Sequence, residues 1–298
     1  MTAEITSRKV GDNAPYECII VGAGPAGLTA ALYMARYRRR VLVLHDETSR
    51  SLRIPLTHNV PGFPDGVSGV ELVNRMISHA VQYGAVIESA RVDSARHDGE
   101  KFELVGVDGT RWQARTLILG TGLHLNQIPL DHDVHEAAIK AGVLRYCPVC
   151  DGYEHIDARI AVVGCDTQGG KEAMFLRRFS RDITLMPLDF DALSAEERTT
   201  LAGANIKVLS VPVAHYALGP GVMEVTLDTG ERHDFDVVYP ALGVRPRTGL
   251  AVALGLRTDD AGCLDADAPF ETQVPGLYSA GDIVEGLDQI AVAMAHGA

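Results

Sequence analysis

Two cysteines three residues apart, Cys147-Pro148-Val149-Cys150, followed at once by Asp151 and Gly152, are the residues whose type and spacing most directly imply chemistry. Such a pair serves either as half of a metal site or as a redox dithiol. A structural zinc site needs a second close pair of cysteines or histidines. The other three of the five cysteines, Cys18, Cys165 and Cys263, stand alone, which favours the dithiol. Thiols at this spacing can close a small disulfide loop, and an adjacent carboxyl group can give or take the proton that governs thiol exchange. Cys147, Cys150 and Asp151 are therefore the candidate catalytic residues, and no metal is expected. Cys18 and Cys165 fall in strand or turn positions and read as small core or turn residues.

A second pattern lies near the start. The β-branched run Cys18-Ile19-Ile20-Val21 leads into Gly22-Ala23-Gly24-Pro25-Ala26-Gly27. An Ala-rich helix over Leu28–Tyr37 and a strand over 40–44 follow. This is the strand–turn–helix–strand context in which a GxGxxG turn binds a dinucleotide. Gly22 makes the tight turn, Gly24 lets a pyrophosphate approach the backbone, and Gly27 lets helix and strand pack closely. The helix N-terminus supplies N–H groups and a positive dipole end. Asp46 stands 24 residues after Gly22, near the spacing at which an acid meets a ribose hydroxyl, with His45 and Glu47 as neighbours that could do the same.

The pattern echoes at Arg159-Ile160-Ala161-Val162-Val163-Gly164, where a helix over 170–179 and a strand over 183–186 follow. An internal repeat of about 140 residues results, and one unit for FAD and the other for NAD(P)H is its natural reading. In the echo Asp166 occupies the place of the second glycine, where a side chain crowds a diphosphate and a carboxylate repels it. Pro187-Leu188-Asp189 ends the second strand where arginines would meet a 2′-phosphate; Asp189 could instead meet a ribose 2′-hydroxyl. Use of NAD(P)H is therefore expected to be weak or absent.

Composition narrows the classes. With 27 Lys+Arg against 39 Asp+Glu, the 298-residue chain carries a formal charge of −12, which opposes an extended nucleic-acid footprint. The basic run Arg36–Arg40 reads as the solvated end of a helix. No apolar run reaches the roughly 18 residues of a membrane span, and no secretory signal opens the chain. A reducing, cytoplasmic setting is expected, with neither nucleic acid nor membrane as partner. Further on, Thr116–Leu119 runs as a strand into Gly120-Thr121-Gly122. Val237–Pro246 reads as a strand and turn, and Gly276–Ile283 as a strand ending in Gly281-Asp282. The final apolar helix, 288–298, stops without a C-cap signal, as in a chain that continues or is clipped.

In this order the motifs resemble the low-molecular-weight thioredoxin reductase family of FAD-dependent disulfide oxidoreductases, over about Tyr16–Ala298. The carriers are Gly22–Gly27, Cys147–Gly152 and Gly281-Asp282, with the dithiol just before the second nucleotide turn. The resemblance implies an α/β fold of two Rossmann-like, three-layer nucleotide-binding domains. The FAD domain is discontinuous, 1–120 and 245–298, and the dithiol-bearing insert spans 121–244. Their two connections would act as hinges, so that the dithiol faces the flavin in one orientation and a substrate disulfide in the other. It also implies that Cys150 is the flavin-proximal thiol, Cys147 the attacking one and Asp151 the acid/base. By the same token Asp282 holds the ribityl chain, Gln289-Ile290-Ala291 face the flavin pyrimidine, and Asn59 lines the isoalloxazine. The FAD set is thus Gly22, Gly24, Pro25, Ala26, Gly27, Asp46, Asn59, Thr121, Gly122, Gly281, Asp282, Gln289, Ile290 and Ala291.

The implied partners are a thioredoxin-like protein or a small dithiol or disulfide, and a second copy of the chain in a homodimer. The family's usual Gly-Gly-Gln-Leu is replaced by Ser51-Leu52-Arg53-Ile54, and its arginine-rich NADPH segment is missing. Relatives without that segment draw electrons from a ferredoxin-type donor, or run backwards as O₂-dependent dithiol oxidases. The oxidases often carry His after the second cysteine, so Asp151 leans towards the reductase.

Overall fold

The alternation of side chains along the first strand sets the architecture. Cys18 and Ile20 belong to one buried cluster and Ile19 and Val21 to another, as expected for a strand covered on both faces. The computed structural model describes residues 15–164, 166–189, 191, 193–264 and 271–298. Along the chain come β1 (Tyr16–Val21), α1 (Pro25–Arg36), β2 (Val41–His45), α2 (Gly69–Gln82), β3 (Val86–Ser89), β4 (Val92–His97), β5 (Phe102–Gly106), β6 (Arg111–Leu119) and β7 (Leu123–Leu125). They are followed by α3 (His132–Lys140), the single turn α4 (Pro148–Asp151), β8 (Arg159–Val163), α5 (Asp166–Leu176), β9 (Asp182–Met186), α6 (Ala195–Gly203) and β10 (Lys207–Val208). The last are β11 (Val213–Gly219), β12 (Val222–Leu227), β13 (Arg232–Phe235), β14 (Val237–Pro240), β15 (Val244–Pro246), α7 (Gly249–Ala253), β16 (Leu277–Ser279) and α8 (Ile290–Gly297).

The chain divides into two units. The first holds the described residues through Leu52, then Val70–Leu123 and Pro246–Ala298; the second holds Arg53–Gly69 and His124–Arg245. Segment 53–69 thus groups with the second unit, whereas the sequence assigns it to the first. In the first unit the sheet runs β3-β2-β1-β6-β5-β4, and β16 also pairs with β6. β3, β2, β1, β6 and β16 are parallel, and β4, β5 and β6 form an antiparallel meander. Helices α1 and α2 cover one face; α7 packs into the cluster on the other. Leu42 and Leu44, both fully buried, each contribute about 1.5–3 kcal/mol by leaving water.

The second unit repeats the parallel core as β10-β9-β8-β14. Ile160 and Val162 face α5 and α6, while Ala161 and Val163 face α3 and the antiparallel sheet β11-β12-β13. The α/β class and paired Rossmann-like cores agree with the sequence; the antiparallel layer was not in the pattern. β7 and β15, the connecting strands, pair with each other.

The helices begin earlier than the sequence pattern implies, α1 at Pro25 and α5 at Asp166. Proline is well suited to a helix's first position, which explains the first shift. Close packing at the first turn depends on missing side chains. A Cβ on Gly22, at φ +115°, would lie 2.2 Å from Gly120 O, and one on Gly27 would lie 2.0 Å from Gly22 O. Gly27→Ala should therefore destabilise the chain by about 3 kcal/mol and lower its thermal midpoint by several degrees. Gly170→Ala, in a helix with nothing within 4 Å of the new carbon, should be neutral or stabilising by about 0.5 kcal/mol. Paired thermal melts check both.

Candidate functional site

The C-terminal ends of β1, β2, β6 and β16 deliver their following residues to one cleft of about 310 Å³ in the first unit. Parallel strands end on the same side, so such a crevice is where an α/β sheet takes its ligand. Gly22, Gly24, Pro25, Ala26, Asp46, Thr121, Gly122, Gly281 and Asp282 all line it. Gly24 has extended backbone (φ −82°, ψ −179°), and no side chain caps the first turn of α1. A Cβ there would meet only Ser49 Oγ at 3.4 Å, so this glycine faces open space. Gly27 acts from beneath, through its packing on Gly22.

At one end of the cleft the Asp46 carboxylate accepts from Thr48 N (3.2 Å) and Thr48 Oγ1 (2.6 Å). Burial works to raise the Asp46 pKa, but these bonds and the Arg247 charge hold it below the usual range. Arg247 Nη1 donates to Thr48 Oγ1 (2.6 Å) and lies 3.8 Å from Asp46. Thr121 Oγ1 donates to Arg247 O, and Arg247 N to Gly122 O, both at 2.8 Å. At the other end Arg50 Nη2 donates to Asp282 Oδ2 (2.8 Å) and to Asp288 O (3.1 Å). Burial raises the Asp282 carboxyl despite Arg50. Burial and the neighbouring Asp282 charge push Asp288 up to about 6.

Helix α8 rests on α1: a Cβ on Gly297 would lie 2.2 Å from Ala26 O, and His296 Nδ1 accepts from Gly281 N at 3.3 Å. Gln289 is its N-cap; Gln289, Ile290 and Ala291 do not line the cleft, whereas Ala293 does. Asn59 belongs to the second unit, where its Oδ1 accepts from Thr57 Oγ1 at 2.8 Å. Sequence reasoning missed Thr48, Arg50 and Arg247. The polar run Thr48–Ser51, directly after the acidic end of β2, was the available signal for the first two.

In the second unit Cys147 and Cys150 form a disulfide with their Cα atoms 5.2 Å apart. Cys147 is the N-cap of α4, Pro148 takes the first helical position, and Cys150 N donates to Cys147 O (2.9 Å). Among the described residues no group of three or more His, Cys, Asp or Glu could hold a metal. Asp151, 7% exposed, closes the turn. Its Oδ1 accepts from Tyr239 Oη (2.7 Å), and Arg145 Nε lies 2.5 Å from its Oδ2. Burial raises its pKa, against the pull of Arg145 and Tyr239. Gly152 packs against the Phe179 ring, which a Cβ would approach to 2.8 Å. Just before the pair, Tyr146 Oη and His135 Nε2 are 2.6 Å apart, and Arg53 bonds to His135 Nδ1 (3.0 Å) and pairs with Glu136.

The second nucleotide turn keeps its packing: a Cβ on Gly169 would sit 3.3 Å from Gly164 O. Asp166 opens α5; its side chain, like all of Cys165, lies outside the described residues. Asp189 is exposed and accepts from Asp191 N at 3.0 Å. Arg177 is committed elsewhere, donating to Ala204 O (2.7 Å) and Ser180 O (2.9 Å). Cys18 is buried, and burial pushes its thiol up to about 11. In the basic run, Arg39 pairs with Glu17 (3.1 Å), and Arg36 and Arg40 stack on Tyr83 and Tyr16. No helix among the described residues is long and apolar enough to cross a membrane.

Residues 16–297 match the family of pyridine nucleotide-disulphide oxidoreductases. The chain is 32% identical to a thioredoxin reductase from Streptomyces coelicolor over 279 residues, covering 90% of this chain and 85% of that protein. It is 31% identical to a bifunctional thioredoxin reductase/thioredoxin from Mycobacterium leprae, over 91% of this chain but only 60% of the relative's length. Among solved structures, a thioredoxin reductase from Streptococcus pyogenes superposes with a TM-score of 0.87 at 26% identity, covering 96% and 95% of the two chains.

The cleft fits FAD on the structure's own evidence, because its floor is a glycine cradle that a Cβ would fill. Gly24→Val should leave the fold intact, as judged by circular dichroism and melting. It should weaken FAD binding about tenfold or more in reconstitution of the apoprotein, read from bound flavin absorbance.

Proposed function

Because the chain belongs to the pyridine nucleotide-disulphide oxidoreductase family, we propose that it is an FAD-dependent thiol–disulfide oxidoreductase of thioredoxin-reductase type that does not use NADPH efficiently. The observation that carries the reading is the Cys147–Cys150 disulfide closed beside the buried Asp151. Bound FAD supplies a two-electron carrier. Gly22, Gly24 and the start of α1 would hold its diphosphate, and Asp46 and Asp282 would accept from its hydroxyl groups. The chain's own residues do the exchange. Reduced Cys147 attacks a partner disulfide and forms a mixed disulfide, and Cys150 then displaces the partner's thiol and restores the Cys147–Cys150 bond. The dithiol's two protons end on the partner's two thiols, and Asp151 relays a proton to the sulfur that leaves.

The partner is a thioredoxin-like protein or a small disulfide, a reading supported by the relatives named thioredoxin reductase. A homodimer is expected on the resemblance alone. For the donor, the support is Asp166 in the place of a phosphate-facing glycine, Asp189 in the place of basic residues, and Arg177 tied to carbonyl groups. A ferredoxin-type protein is then the natural donor.

Anaerobic titration of the flavoprotein tests this. Dithiothreitol should bleach the flavin, NADPH and NADH should not, and Cys150→Ser should abolish bleaching by dithiothreitol. Rapid bleaching by NADPH overturns the statement about the donor. Unchanged bleaching in Cys150→Ser overturns the role of the dithiol. Steady H₂O₂ release with a dithiol in air would make the chain an O₂-dependent dithiol oxidase.

A further inference from the structure

The group best placed to govern the dithiol is not in the Cys-x-x-Cys-Asp motif. Tyr239 lies on β14, 88 residues away in sequence, and is fully buried. Its hydroxyl donates to Asp151 Oδ1 at 2.7 Å. Arg145, two residues before Cys147, places Nε 2.5 Å from Asp151 Oδ2. Arg145 acts on the carboxyl first through its charge, and Tyr239 through its hydrogen bond. Each carboxyl oxygen thus has its own partner. The third titratable group facing the carboxyl is His155, whose ring meets Tyr239 edge-on at 6.0 Å. Its Nε2 is buried and has no hydrogen-bond partner among the described residues. Burial lowers the His155 pKa, with Glu154 and Asp236 also acting on it. Cys147 caps α4 and Asp151 ends it, so the disulfide and the carboxyl-bearing residue belong to one short turn.

We propose that Tyr239 and Arg145 are positioning residues that hold the two oxygens of Asp151 and so set the pH at which this carboxyl exchanges its proton with the Cys147–Cys150 pair. The proposal rests on the dithiol reading above. When dithiothreitol reduces the pair, the Cys147–Cys150 bond breaks and the reagent closes to its cyclic disulfide. Two electrons pass to the chain's sulfurs, and the reagent's two thiol protons balance the two thiols formed. Asp151 as the acid protonates the sulfur that leaves, and takes a proton back from solvent. The Tyr239 hydroxyl and the Arg145 charge both favour the ionised carboxyl, so losing either makes Asp151 hold its proton to higher pH.

The test is the rate of anaerobic reduction of the Cys147–Cys150 disulfide by dithiothreitol in the purified flavoprotein, followed by thiol titration between about pH 5 and 9. Tyr239→Phe, which removes one oxygen atom, should move the Asp151-dependent limb upward by about one pH unit. The plateau rate and the flavin spectrum should be unchanged. Asp151→Asn should remove that limb. Arg145→Gln should move it in the same direction, and carries the test if Tyr239→Phe does not fold. A Tyr239→Phe profile that superposes on the parent's, while Asp151→Asn alters it, overturns the positioning role and leaves the dithiol reading standing. An Asp151→Asn profile identical to the parent's overturns the proposal, and Cys147→Ser then shows whether the dithiol reading falls too.

Discussion

Backbones meet at the turn after β1 more closely than any side chain permits, and the first unit is built around that approach. Gly22 abuts Gly120 O and Gly27 abuts Gly22 O. A third such approach puts Gly297 of α8 against Ala26 O. These are approaches to backbone atoms, so no rotamer change can relieve a clash there. They fix where α1 starts relative to β1 and β6, and where α8 lies on α1. The cleft is what remains above that junction. It collects residues as far apart in sequence as Thr48, Thr121, Arg247 and Asp282 because parallel strands end together.

The second unit depends on close approaches of the same kind. Gly164 and Gly169 keep the positions that serve packing: a Cβ on Gly164 would lie 2.6 Å from Ala241 O, and one on Gly169 3.3 Å from Gly164 O. The intervening position is Asp166. Packing of the turn on its sheet and the approach of a ligand are different constraints, and these two glycines answer to the first. The same unit carries the dithiol turn, whose own glycine, Gly152, answers to packing on Phe179.

Local patterns were legible in the sequence, and long-range pairs were not. The strand–turn–helix–strand units and the dithiol are contiguous, and their periodicity and spacing belong to single elements. The antiparallel strands β4, β5 and β11–β13 escaped because short alternating runs such as Val222–Leu227 resemble exposed loops until a partner strand is known. The polar partners escaped for a different reason. Arg50 meets Asp282 across 232 residues, Arg247 meets Thr48 across 199, and Tyr239 meets Asp151 across 88. An arginine or tyrosine in isolation carries no sign of which buried carboxylate it will meet. Asn59 illustrates the converse: the resemblance assigns it to the first unit, and its segment groups with the second.

The arrangement of charge within the cleft supplies an order that its shape alone does not. At each end stands a carboxylate, Asp46 and Asp282, and between them lies the uncapped start of α1 over the glycine turn. Carboxylates accept from hydroxyl groups and repel phosphate; open N–H groups at a helix start do the reverse. Arg50 pairs with one oxygen of Asp282, and Arg247 stands further from Asp46. Arg50 divides its donors between Asp282 and the Asp288 carbonyl, and Arg247 sits 3.8 Å from Asp46 while bonding to Thr48. Each acid therefore keeps acceptor capacity for a ligand hydroxyl. A molecule suited to this cleft carries hydroxyl groups, then a diphosphate, then hydroxyl groups again. A dinucleotide has that order and a single nucleotide does not, so the charge pattern of the cleft agrees with the FAD binding that the family implies.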